Sequence, residues 1–260
     1  MVRVRIIPCL LLRGSGLVKT TGFTKPSYVG DPINAVRIFN DKEVDELMIL
    51  DIGASKDGSA PNFGILERIV SEAFMPVGYG GGIRTVEQAR KLFGIGVEKI
   101  ALNSAALEDL NLVRDLARNF GSQSVIGVVD VKKRLLGGYA VYSHAGIRVP
   151  VPDPFAWAKA LADAGAGEIL LQNVNRDGTM AGYDLGLLRS FDGRLQVPLV
   201  AAGGASGVDD MAAALNACRL SGLAVGARFV YQGPHRAVLI NYVGAADMER
   251  LRHVRATLAV

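Results

Sequence analysis

Glu46-Leu47-Met48-Ile49-Leu50-Asp51 returns further along the chain as Glu168-Ile169-Leu170-Leu171-Gln172-Asn173, an offset of 122 residues (46 to 168). The same offset carries Pro76 and Gly81-Gly82 onto Pro198 and Gly203-Gly204, and Ser104 onto Gly226. A constant spacing over three separated segments marks an internal repeat and divides the chain into two similar halves. Each repeated run is almost continuously apolar, as parallel strands covered on both faces require.

Outward from these runs, short aliphatic segments recur and each is followed by a turn signal and a helical pattern. They predict strands over Val4–Leu11, Glu46–Ile52, Pro76–Tyr79, Lys99–Leu102, Ser124–Asp130, Glu168–Gln172, Pro198–Ala201 and Gly222–Val225. Leu110, Val113, Leu116, Ala117 and Phe120 repeat at helical spacing with Gly121 as a stop. Thr85 and Gln88 form a capping-box pattern. Eight strand–helix units, four in each half, predict a closed (β/α)8 TIM barrel rather than a doubly wound open sheet, as one domain over residues 1–260.

Composition agrees. The chain has 260 residues, half of them apolar, enough for a large core in one domain. Its 31 glycines are dispersed among apolar runs and read as tight βα turns. The net charge of +4 comes from dispersed basic residues without interleaved aromatics, which argues against nucleic acid and is satisfied by a small anionic ligand. Arg3–Arg13 superficially resembles a secretion signal, but Pro8, Arg13 and the lack of a small-residue cleavage site argue against it. No uncharged apolar run reaches the ~20 residues of a membrane span. Cys9 and Cys218 have no metal-ligand spacing, and Cys9 reads as a small buried thiol. The expectation is a cytoplasmic protein without metal or cofactor.

In such barrels the loops after the strand C-termini form the active face. Gly80-Gly81-Gly82 and Gly203-Gly204 each follow a short strand and precede a helix, so their backbones can approach an anion unobstructed; the alternative is that they only make tight turns. Asn103-Ser104 and Gly226, at the ends of the fourth and eighth strands, complete two phosphate cradles. Asp177-Gly178, within Asn175–Thr179, parallels Asp57-Gly58; as plain Asp-Gly turns these need no ligand. Asp130 ends an apolar strand and offers a carboxylate for proton transfer, or else a structural cap. Lys19 falls in the long loop after the first strand, either as a substrate clamp or as a solvated lysine.

At this level the sequence resembles a known family. Ile6-Ile7-Pro8-Cys9-Leu10, Leu17-Val18-Lys19-Thr20, Gly30-Asp31-Pro32, Asp51, Gly80-Gly81-Gly82-Ile83, Asn103-Ser104, Gly165–Ile169, Arg176-Asp177-Gly178-Thr179, Gly182-Tyr183-Asp184 and Gly203-Gly204 are similar to the cyclase subunit of imidazole glycerol phosphate synthase. The resemblance spans nearly the whole chain and implies a two-fold (β/α)8 barrel that takes ammonia from a partner glutaminase and binds a small ligand with a phosphate at each end. It implies one phosphate site at Gly82, Asn103 and Ser104 and another at Gly178, Gly204 and Gly226. Asp51 and Asp177 are further substrate-binding positions, Lys19 is the mobile-loop lysine, and Asp130 is one of two catalytic aspartates. It also implies an ammonia gate of Arg5, Glu46, Lys99 and Glu168 at the strand N-terminal face, four charges that equally suit a stabilising salt-bridged floor.

The family's second catalytic aspartate corresponds to Leu11, which cannot transfer a proton. A kept gate, kept cradles and a lost carboxylate, with the run Pro8–Gly14, resemble the branch associated with surface polysaccharides. That branch works with a glutaminase and a sugar amidotransferase to turn an acetamido into an acetamidino group. The other readings are the histidine-pathway cyclase working through Asp130, a non-catalytic glutaminase activator that conducts ammonia, and the related phosphoribosyl isomerase, against which Leu11 counts equally.

Overall fold

The computed structural model describes residues 3–256. Eight parallel strands close on themselves: β1 (Arg5–Arg13), β2 (Leu47–Asp51), β3 (Val77–Gly80), β4 (Lys99–Leu102), β5 (Val125–Lys133), β6 (Glu168–Asn173), β7 (Leu199–Ala202) and β8 (Gly222–Val225). Each pairs with the next, and β8 returns to β1 with Arg5 opposite Gly222 and Pro8 opposite Val225. The helices that follow them are α1 (Pro32–Asp41), α2 (Phe63–Glu72), α3 (Val86–Gly94), α4 (Leu110–Phe120), α5 (Pro154–Asp163), α6 (Leu185–Phe191), α7 (Val208–Ala217) and α8 (Ala245–Ala256). This is the predicted (β/α)8 barrel. No helix among the described residues is long and apolar enough to cross a membrane.

Local signals explain the helix boundaries. Thr85 and Gln88 make the expected reciprocal capping box on α3. The α4 helix buries Val113 and Leu116 and stops at Gly121, whose φ of 86° is cheap only for glycine. Asp31 and Asp153 each cap a helix that starts with proline at its first turn, and they too lie 122 residues apart (31 to 153).

β1 and β5 run past their predicted ends because each continues into an antiparallel hairpin beyond the barrel rim. Gly16–Thr21 folds back on β1 and pairs in turn with Thr24–Gly30, while Tyr139–Val141 folds back on β5. Partners beyond the rim let these strands stay extended after the barrel stops.

Strand periodicity then links the two ends of the barrel. Successive side chains alternate between helix layer and bore. On β1 the bore face reads Arg5, Ile7, Cys9, Leu11; leading into and along β2 it reads Glu46, Met48, Leu50; on β4, Lys99, Ala101 and then Asn103. On β5 it reads Ile126, Val128, Asp130, and on β6, Glu168, Leu170, Gln172. The middle members of these rows form their own buried apolar cluster, separate from the larger core between strands and helices. A charged floor, an apolar waist and a mixed mouth therefore follow from reading every second residue.

Candidate functional site

At the floor, the Arg5 guanidinium donates to Glu46 Oε2 and to Glu168 Oε1, and Lys99 Nζ stands 3.1 Å from Glu46 and 3.0 Å from Glu168. Burial works against a charged Glu168, but hydrogen bonding and charge from Arg5, then Lys99, hold its carboxyl below the ordinary range. Ser221, buried beside them, lies 3.4 Å from Glu168 Oε1. The four charges named from sequence form one layer closing the N-terminal end of the bore.

The opposite mouth holds two cavities. The first, about 920 Å³ including its opening, is lined by Asp51, Gly82, Asn103, Ser104 and Asp130. Its size has a local cause: the inward positions of β3 and the loop after it are Gly78, Gly80 and Gly82. A Cβ on Gly80 would stand 2.9 Å from the Leu50 side chain. Gly81 has φ +127°, and a Cβ there would fall 2.5 Å from the Asp51 carbonyl oxygen; Gly82, at φ +70°, would press on Ser59.

Within this cavity Asp130 is buried and accepts a 2.6 Å hydrogen bond from Asn103 Nδ2. Its other oxygen, Oδ1, has no partner among the described residues. Burial first and the charge of Asp177 second push its carboxyl up to about 8, against the opposing hydrogen bond from Asn103. Burial therefore favours the protonated form of this carboxyl. Asp51 is partly committed, since Oδ1 accepts the N–H groups of Gly53 and Ala54.

The second cavity, about 400 Å³, is lined by Lys19, Asp177, Gly178, Gly203, Gly204 and Gly226. Lys19 corrects the sequence expectation: it belongs not to a loop but to the hairpin strand Gly16–Thr21, and it is buried. Its Nζ donates to the Cys9 carbonyl at 2.8 Å and takes the space that a Cβ on Gly226 would fill. Burial lowers its pKa, with Cys9 and Asp177 acting in the opposite sense. Asp177 accepts from Thr20 Oγ1 at 3.0 Å, so the Asp177-Gly178 turn is latched to the hairpin that carries Lys19.

The catalytic, substrate-binding and gate positions implied by the resemblance thus fall into three groups: five at the first cavity, five at the second and four at the floor. Leu11 and Gln172 line both cavities, so Leu11 stands between the two cradles. Sequence reading did not single out Ser55, Lys56, Phe23, His144 or Gln172 as site residues, and all of them line the first cavity. Only Gln172 had a signal, as the polar counterpart of Leu50 in the repeat. Among the described residues no cluster of His, Cys, Asp and Glu is arranged to hold a metal.

Fold and mouth together define a two-fold (β/α)8 barrel with a pair of glycine-walled sites at the strand C-terminal end. Residues 5–235 match the family model described as histidine biosynthesis protein, and the chain belongs to that family. It is 50% identical over 242 residues to a provisionally named imidazole glycerol phosphate synthase subunit hisF2 of Pseudomonas aeruginosa, covering 93% of this chain and 96% of that one. The similarly named hisF3 subunit of Vibrio vulnificus is 45% identical over 251 residues, 96% of each chain. Imidazole glycerol phosphate synthase subunit HisF of Alkaliphilus metalliredigens is 39% identical over 212 residues, covering 82% of this chain and 84% of that one.

Proposed function

We propose that this chain is the ammonia-using, cyclase-like subunit of a glutamine amidotransferase complex, paired with a glutaminase and binding a phosphorylated small molecule. We further propose that it serves acetamidino modification of surface-polysaccharide sugars with a sugar amidotransferase. The observation that carries this reading is Leu11 at the mouth of the bore, where the resembling cyclases have a carboxylate. Ammonia released at the floor would pass the Arg5, Glu46, Lys99 and Glu168 layer, travel the apolar waist as the neutral molecule, and meet a mouth with Leu11 on one side and protonated Asp130 on the other. A carboxylate at position 11 would retain ammonium, whereas leucine lets ammonia pass. The relatives named hisF2 and hisF3 are numbered copies of such a subunit, which favours a paralogue over a sole cyclase.

The retained Asp130 and the likeness to the Alkaliphilus HisF favour a second reading, the histidine-pathway cyclase working through one acid. Turnover of the ribulosyl intermediate of that pathway, with saturating ammonium and no glutaminase, separates the two. The expected result is an inactive natural protein and activity on Leu11→Asp. Activity of the natural protein that disappears on Asp130→Asn would establish the cyclase instead. Failure to co-elute with the cognate glutaminase would remove the complex from either reading.

A further inference from the structure

We propose that His144 and Lys56 form an anion clamp over the first cavity, taking a phosphate monoester between their cationic ends and the Gly82–Ser104 cradle. The clamp rests on the phosphate-cradle reading of that cavity and adds two residues from other loops.

Geometry connects the two sides. Gly82 N–H donates to Ser55 Oγ at 3.3 Å, so the turn bearing Ser55 and Lys56 lies directly against the cradle. His144, in the loop after the β5 hairpin, lines the same cavity, and its ring is steadied edge-on by Phe23, 5.8 Å between centroids at 84°. Lys132 on β5 acts on His144 through its charge, with its ammonium 3.7 Å over the Tyr142 ring. Arg84 reaches the carbonyls of Ser55 and Gly58. Among the described residues none of Lys56, Arg84, Lys132 or His144 is ion-paired with a carboxylate.

The carboxylates nearby are not ion-paired with these groups. Asp51 spends Oδ1 on the N–H groups of Gly53 and Ala54, burial favours the protonated form of Asp130, and Asp57 makes no ion pair among the described residues. Basic groups gathered around a cavity without an ion-paired partner are what an anionic ligand completes. Burial, then Lys56, then Lys132 depress the proton affinity of His144. A bound dianion opposes the two lysines and returns the proton, so anion affinity rises as pH falls toward 6.

The test uses the full chain and inorganic sulfate, which stays a dianion across the range. The chain has three histidines, so His144→Gln identifies the His144 ring resonance among them. Sulfate is expected to shift the His144 ring signal and the Gly82 and Ser104 amides together and to raise the His144 titration midpoint. His144→Gln should weaken sulfate binding about tenfold at pH 6 and far less at pH 8, and Lys56→Gln about fivefold at both. Shifts of the Gly82 and Ser104 amides with an unmoved His144 ring would overturn the clamp and leave the cradle standing. Unmoved Gly82 and Ser104 amides would overturn both.

Discussion

The two halves of the barrel share a scaffold and differ at its mouth. In the first half Leu11 on β1 pairs in register with Leu50 on β2; in the second, Asp130 on β5 pairs with Gln172 on β6. Two apolar side chains thus face two polar ones across the mouth, although both halves enforce the same glycine geometry behind them. A Cβ on Gly203 would fall 2.5 Å from the Asn173 carbonyl oxygen, just as one on Gly81 would meet that of Asp51. The cradles also diverge in occupancy: Lys19 fills the space against Gly226, while the first cradle opens into the larger cavity. Backbone constraints preserved the two-fold plan, and side chains at the rim gave each half a separate chemistry.

The strongest way to break this comparison is at the paired glycines. Gly81→Ala and Gly203→Ala each force a left-handed residue against a carbonyl, and each should cost about 3 kcal/mol or more in urea unfolding. Unequal costs would mean that the halves are not equivalent in backbone constraint. At the floor, Glu168→Gln leaves Arg5 and Lys99 short of one buried counter-charge and should cost about 3 kcal/mol.

Asp130 sharpens the contrast with Leu11 through pH. Its folded-state pKa of about 8 lies above the unfolded value of about 3.9, so the folded protein holds this proton more tightly. The stabilisation is fully present below about pH 4 and is lost as pH rises through about 8, with a slope of at most about 1.4 kcal/mol per pH unit. Thermal melts of Asp130→Asn should lose that slope, and an unchanged profile would show that Asp130 is ionised in the folded state.

The smallest effect tests the repeat itself. Thr85 and Gln88 cap α3, and at the same offset stand Gly207 and Asp210 at the start of α7. Asp210 reaches back to the N–H groups of Ser206 and Gly207, but Gly207 has no side chain to return the bond. Its backbone is extended with open space around it, so Gly207→Thr should stabilise by about 0.5 kcal/mol in a chemical melt.

Much of this was legible in the chain. The strand runs, the repeat and the capping signals follow from hydrophobic period and local backbone preference, and those act within a few residues. The charges at positions 5, 46, 99 and 168 could be placed at one end because a strand start fixes its end of the barrel. Lys19 could not be read correctly. Its burial depends on the Cys9 carbonyl and on Asp177, which lies 158 residues away (19 to 177), and nothing near Lys19 announces that partner. His144 sits in an irregular loop with no period, and only folding brings it against Phe23 and near Lys56.

The sequence by itself therefore determined the barrel, its two-fold plan, its floor of alternating charge and the leucine at position 11, because each is a matter of period, offset or residue type. Tertiary structure alone decided that burial favours the protonated form of Asp130, that Lys19 is a buried group of the second cradle, and that His144 and Lys56 overlook the first. Those depend on burial and on charges gathered from distant segments, and no local pattern encodes either.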